Sequence, residues 1–289
     1  MKRYFISSLL FVFVMVTSIT AQENTDVFKF KTENFEITTL SEGQQKNGSS
    51  ILIDATSEMI KKYAPDGTFP SACNAFLVKT PEKTVLIDAG FGRNLFANLK
   101  LQNITSEKID IILLTHMHGD HIGGLLKDGK VTFPNAQLYI AQAEYDYWMN
   151  IDSRGGEQAR SIIQAYKNKL HLFVPADLEN TQTELLNGIS AIAVYGHTPG
   201  HTAYLLKSDN LQFLIWGDLA HAMAIQMPHP EIAVTYDVNP EEAVISRKKI
   251  LEYAAENKIP VAGMHIAFPA MGHIKRNKAG GYEFEPLKK

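Results

Sequence analysis

Cysteine is almost missing from this chain: Cys73 stands alone among 289 residues, which excludes an internal disulfide. A strong excess of charge is missing too. With 28 basic and 31 acidic residues the formal net charge is −3, and no basic field exists to hold nucleic acid. Beyond the first two dozen residues no apolar run approaches the roughly 20 residues that a membrane-spanning helix needs. Internal repeats and low-complexity tracts are absent as well, which excludes solenoids and fibrous chains.

The start is different. Lys2 and Arg3 precede an apolar run from Phe5 to Val16, and small or polar residues lead to Ala21. That is the layout of a secretory signal peptide over residues 1–21, with an uncleaved anchor as the alternative. Residues 22–289 are then expected as one domain of an exported protein, periplasmic or secreted. Without a disulfide, such a domain draws its stability from its core, from bound metal, or from both. Cys73, before the apolar "AFLVK", reads as a small buried residue.

Strand and helix patterns alternate along the chain. Residues 27–32 and 35–43 read as early strands, and 74–79 and 83–90 flank a turn at "TPE". Residues 109–115, "IDIILLT", read as a strand buried on both faces. Helices are expected at 95–102 and 156–170, and more strands between 188 and 218. A last helix opens at "NPEE", with Asn239 as cap and Pro240 in the first turn, before a strand at 259–265. Two runs of strands, each followed by helix, predict a layered α/β domain with two sheets inside.

Three of the ten histidines fall within six residues of "THMHGDHIGG", Thr115 to Gly124, just where a buried strand ends. Imidazole nitrogens and carboxylate oxygens are the ordinary ligands of zinc. His116 and His118 lie two apart and share a face in extended chain, and Gly119 lets the chain turn to aim Asp120 and His121 elsewhere. Four such donors could serve two metals and complete neither. Further donors stand at later strand ends: His197 and His201 in "GHTPGHT", Asp218 in "WGD", and His265 in "MHIAF". Singly, each reads as a core histidine or a turn aspartate. Together, at the mouths of successive strands, they are expected to meet at one edge of the sheets.

In that order, "THMHGDH", "GHTPGHT", "WGD" and "MHIAFP" resemble the metallo-β-lactamase superfamily. More narrowly, "NAFLVKTPEKTVLIDAGFG", "ISRKK" and "HIAFPAMGHIKRNKAGGYEFEP" are similar to the methyl parathion hydrolase branch, over most of the chain from about residue 33. The resemblance implies a four-layer αββα sandwich with two divalent metal ions, zinc first among them. It assigns His116, His118 and His197 to one ion, Asp120, His121 and His265 to the other, and Asp218 to both. His201 is then a supporting residue, not a ligand. The branch also implies an aromatic pocket, for which Trp148, Phe96 and His221 are the candidates. Trp148, with Tyr145, fits a core position as well.

Two ions of this kind imply hydrolysis through a shared hydroxide. Lowering the pKa of water from 15.7 to near 7 corresponds to roughly 12 kcal/mol, more than the 3–5 kcal/mol of a lone general base. Asp120 and Asp218 are the carboxylates expected to take part. The expected substrate is a small neutral ester or lactone, with phosphotriester hydrolysis as a side activity. Neither nucleic acid nor a membrane is an expected partner once the leader is removed, and a homodimer is allowed. The competing readings are a non-catalytic metal-binding protein, a glyoxalase II-like thioesterase, a β-lactamase and a redox diiron protein.

Overall fold

Alternation along single strands already shows why there are two buried layers. Phe76 and Val78 face one way into the larger apolar cluster, while Leu77 between them joins a second. Ile111 and Leu113 likewise point into the first cluster and Ile112 into the second. A period of two with both faces apolar requires cover on both sides.

The computed structural model describes residues 27–179 and 183–288. The expected signal peptide lies outside the described residues. The first sheet runs in chain order: β1 (Val27–Lys31), β2 (Glu36–Gly48), β3 (Thr68–Lys79), β4 (Thr84–Ile87), β5 (Ile111–Leu113), β6 (Gln137–Ala141) and β7 (Leu170–Phe173). Its first four strands are antiparallel, and β4 to β7 pair in parallel. The second sheet follows in chain order too: β8 (Glu184–Leu186), β9 (Ile189–Ala193), β10 (Thr202–Ser208), β11 (Leu211–Ile215), β12 (Pro260–Ala262), β13 (Met271–Arg276) and β14 (Tyr282–Pro286). Its one parallel pair, β11 with β12, is joined through the helix Pro240–Glu256.

Between the sheets lies the larger cluster, with Phe76, Ile87 and Leu113 from one side and Tyr204, Phe213 and Val261 from the other. The helix Arg154–Tyr166 covers the outer face of the first sheet through Ala159, Ile162, Ile163 and Tyr166. The helix Pro240–Glu256 covers the second through Ile250, Leu251 and Ala254. The architecture is the expected αββα sandwich. Asn239 caps its helix by accepting from Glu242 N at 3.2 Å, with Pro240 in the first turn.

One region was not legible beforehand. β2 and β3 run past the rest of the sheet as a long antiparallel ribbon, paired from Glu36↔Lys79 to Gly48↔Thr68. The chain between them folds back as a short helix, Ser57–Tyr63, and a two-residue strand, Leu52–Ile53, that pairs with Ala233–Val234. Leu52, Ala55, Met59 and Tyr63 pack on Ile225 and Ile232 as a small separate cluster. This arm braces the segment 219–238.

Candidate metal centre

Each donor group sits just beyond the C-terminal end of a strand. His116 to His121 follow β5, His197 follows β9, Asp218 follows β11 and His265 follows β12. The two sheets stack with these ends on one side, so residues up to 149 positions apart in sequence meet there. The arrangement is the usual position of sites in α/β sheets. The seven residues fall into His116, His118, His197 with Asp218, and Asp120, His121 with His265. A third grouping joins Asp218 and His265 to His221.

Geometry argues that these atoms face cations. His116 Nε2 is 2.9 Å from His118 Nδ1, which is 3.0 Å from His197 Nε2. Three ring nitrogens crowd one point, near the roughly 3.3 Å edge expected when nitrogens lie 2.0–2.1 Å from a tetrahedral zinc. The opposite ring nitrogens point outward to fixed partners. His121 Nδ1 donates to Asp88 Oδ2 at 2.6 Å, His197 Nδ1 to Asp237 Oδ1 at 2.8 Å, and His265 Nδ1 to the Ala72 carbonyl at 2.7 Å. Each bond places the proton on Nδ1 and turns a lone pair on Nε2 toward the centre. His121 Nε2 and Asp218 Oδ1 are buried without a hydrogen-bond partner among the described residues, although they lie 3.2 Å apart. Two acceptors facing each other in a buried site call for a positive ion between them. The residues present fit a pair of divalent metal ions.

The electrostatics divide the histidines into two groups. Burial drives the His118 imidazole down to about 3 and His116 well below its ordinary range, so both are neutral donors. Burial would lower His121, His197 and His265 as well, but Asp218 above all raises all three, and Asp237 helps to hold His197 at about 9. Bound cations would displace these protons. Burial opposes the charge on Asp218, yet His121 and His265 outweigh it and keep the carboxylate ionised. Asp218 Oδ2 also lies 2.8 Å from His265 Nε2 and 3.1 Å from His221 Nε2. His118 and Asp120 are only partly buried, so solvent reaches the site on their side.

His201 is a support. Its Nδ1 donates to the Val194 carbonyl, and its Nε2 accepts the backbone N–H of Asp218 at 3.0 Å, which fixes the start of that loop. Gly217, at φ 64°, leaves no room for a side chain, because a Cβ there would lie 2.3 Å from His201 Nε2. Trp148 serves two ends: it is buried in the outer cluster, and its ring meets that of His118 edge-on at 5.5 Å. Phe96 stacks on Phe133 at 6.0 Å in the helical layer. His171 is exposed on β7, where its ring stacks on Tyr139, and His229 is half-buried beside Tyr63.

Four residues that position the centre escaped the sequence reading. Asp88, fully buried, accepts from Thr115 N, Thr115 Oγ1 and His121. Glu144, also buried, accepts from Met117 N, Thr198 Oγ1, Gly200 N and Trp148 Nε1, so one carboxylate ties both histidine loops to the tryptophan. Burial pushes its pKa up while those four donors pull it back. Asp237 holds His197 and the Val234 N–H. Arg247, 1% exposed, donates to the carbonyls of Leu219, Pro230 and Ile232.

The chain belongs to the metallo-beta-lactamase superfamily, whose model matches residues 68–258. Among curated relatives, it is 28% identical to YobT of Bacillus subtilis (strain 168) over 188 residues, 63% of this chain and 78% of that protein. It is 34% identical to the exodeoxyribonuclease WalJ of Streptococcus pneumoniae over 88 residues, which span 33% of WalJ. Among solved structures, hydrolase AbOPH of the beta lactamase superfamily superposes with TM-score 0.83 at 28% identity, covering 93% of this chain and 99% of its own. The dizinc quorum-quenching lactonase AidC, solved with a product, N-hexnoyl-L-homoserine, superposes with TM-score 0.81 at 27% identity over 91% of this chain and 98% of its own.

Proposed function

We propose that this protein is a dinuclear metal-dependent hydrolase of small neutral esters or lactones, of the methyl parathion hydrolase branch, with phosphotriester hydrolysis as a side activity. One observation carries the reading: two separate donor triads share Asp218, whose carboxylate reaches both. The similarity to AbOPH and to a dizinc lactonase supports it.

His116, His118 and His197 would hold one ion, Asp120, His121 and His265 the other, with Asp218 between. When bound, such a pair supplies a nucleophile from water at neutral pH and polarises the scissile carbonyl or phosphoryl oxygen. The protein's own groups do the rest. Asp120, the most solvent-accessible carboxylate of the set, is placed to orient the attacking water and to hold its proton. Asp88 and Asp237 keep ring protons on Nδ1 of His121 and His197, and Glu144 holds the two loops in register. Trp148 closes one side of the cleft and excludes water. His221, 3.1 Å from Asp218 and buried, lies where it can contact a bound substrate. The reading includes export of the chain, as the first 21 residues suggest.

The test is turnover by zinc-loaded protein of aryl esters, N-acyl and simple lactones, a phosphotriester and a β-lactam. Ester or lactone turnover that is lost with chelator and in Asp218→Ala supports the reading. Turnover of the β-lactam alone, or of nothing, contradicts it.

A further inference from the structure

The segment that carries Asp237 is fastened on both sides. Ala233 and Val234 pair with Ile53 and Leu52, and Thr235 N donates to the Ile51 carbonyl at 2.8 Å. Beyond it, Val238 N donates to His197 O at 3.0 Å and Asn239 N to Gly196 O at 2.8 Å. Asp237 turns inward to His197, and its neighbours therefore turn outward. Tyr236 is 47% exposed. Its side chain makes no hydrogen bond among the described residues, and its recorded ring contact is with His221 at 5.7 Å.

Aromatic rings thus run in series along the centre: Trp148 to His118 at 5.5 Å, His118 to His197 at 4.7 Å, His197 to His221 at 4.9 Å, and His221 to Tyr236 at 5.7 Å. Trp148 at one end is buried, while Tyr236 at the other faces solvent. An exposed aromatic ring on a backbone already fixed presents apolar area at little further cost in ordering. Core packing does not account for it, since Tyr236 belongs to none of the buried clusters.

We infer that Tyr236 is a specificity-determining residue whose ring face takes the apolar, non-reacting part of the substrate and so sets the preferred acyl length. The inference rests on the hydrolase reading above and adds to it a substrate class, neutral esters or lactones with a medium apolar chain. A methylene moved from water onto a dry apolar wall is worth about 0.8 kcal/mol, roughly fourfold in binding. An open wall that covers part of a six-carbon extension gives about tenfold in all.

The experiment compares wild type, Tyr236→Phe and Tyr236→Ala on p-nitrophenyl acetate and octanoate, alongside calorimetric binding of the unreactive carboxylates acetate and octanoate. In Tyr236→Ala the octanoate-to-acetate ratio of kcat/KM is expected to fall about tenfold, through KM, and octanoate binding to weaken in parallel. Tyr236→Phe keeps both near wild type, because the ring face and not the hydroxyl is used. Equal losses on both esters, no change in the ratio, or Tyr236→Phe matching Tyr236→Ala would overturn the inference. If wild type turns over neither these esters nor any lactone or phosphotriester, the hydrolase reading fails, and the carboxylate binding still decides the role of Tyr236.

Discussion

Asp88→Asn changes no more than a few atoms and should still cripple one half of the centre. Three donors converge on this buried carboxylate: Thr115 N at 2.8 Å on Oδ1, and Thr115 Oγ1 at 2.7 Å and His121 Nδ1 at 2.6 Å on Oδ2. An asparagine of the same shape must direct its NH2 at one of these oxygen positions. At the first it faces the backbone N–H of Thr115. At the second it faces His121 and drives the imidazole proton onto Nε2, the atom that would hold the metal. In the first orientation a donor meets a donor in a dry site, at a cost of about 1–3 kcal/mol, and in the second the lone pair is turned away from the ion. Loss of such an outer partner typically weakens metal affinity about 10–100-fold, equal to roughly 1.4–2.7 kcal/mol. Competition with a chromophoric chelator reads the affinity, and melting of the metal-free protein reads the structural cost separately. One of two zinc equivalents, that of Asp120, His121 and His265, is expected to weaken. An Asp88→Asn protein that binds both ions within twofold of wild type would refute the proton-placement argument.

Further perturbations follow from the same structure. In Gly200→Ala the new Cβ would lie 2.2 Å from Glu144 N, against backbone that cannot swing away, so the 195–202 and 142–150 segments must separate. A cost of about 2–3 kcal/mol and a fall in Tm of about 5–10 °C are expected by calorimetry, with impaired activity; an unchanged Tm would show that the two segments are not packed as described. Far from the site, bonds to Lys29 and Lys31 hold the Glu36 carboxyl down to about 2. Because its folded pKa is depressed, its contribution to stability is complete above its ordinary value near 4.5 and is lost as the pH falls toward 2. Glu36→Gln should therefore reduce the acid dependence of the urea midpoint slightly between pH 5 and 3, and a slope as steep as wild type would count against it.

Why some of this was legible in advance is a matter of where the information sits. The inner donors are rare residue types at strand ends, and "THMHGDH" concentrates four of them in six residues, so their convergence followed from topology. Their outer partners are ordinary carboxylates whose purpose shows only across long separations. Asp88 lies 33 residues from His121, Asp237 lies 40 from His197, and Glu144 lies 54 from Thr198. A trace of Asp88 was present in "LIDAG", where an aspartate follows a buried strand; in the fold it takes a left-handed φ of 57°. Glu144 sits among aromatic residues in "AEYDYW" and reads there as a solvated helical position. The ribbon and arm from residue 44 to 67 were not legible because the sequence there alternates weakly and gains its order from the long β2–β3 pairing and, at Leu52 and Ile53, from Val234 and Ala233. Phe96, a pocket candidate by the resemblance, stacks on Phe133 in the fold, a contact that its spacing in the sequence did not show.

The centre itself is open to direct observation by anomalous diffraction at the zinc edge from crystals of zinc-loaded protein. Two peaks per chain are expected, one enclosed by His116, His118 and His197 and the other by Asp120, His121 and His265, with Asp218 reaching both. A single peak, or peaks away from these residues, would contradict a shared dinuclear site.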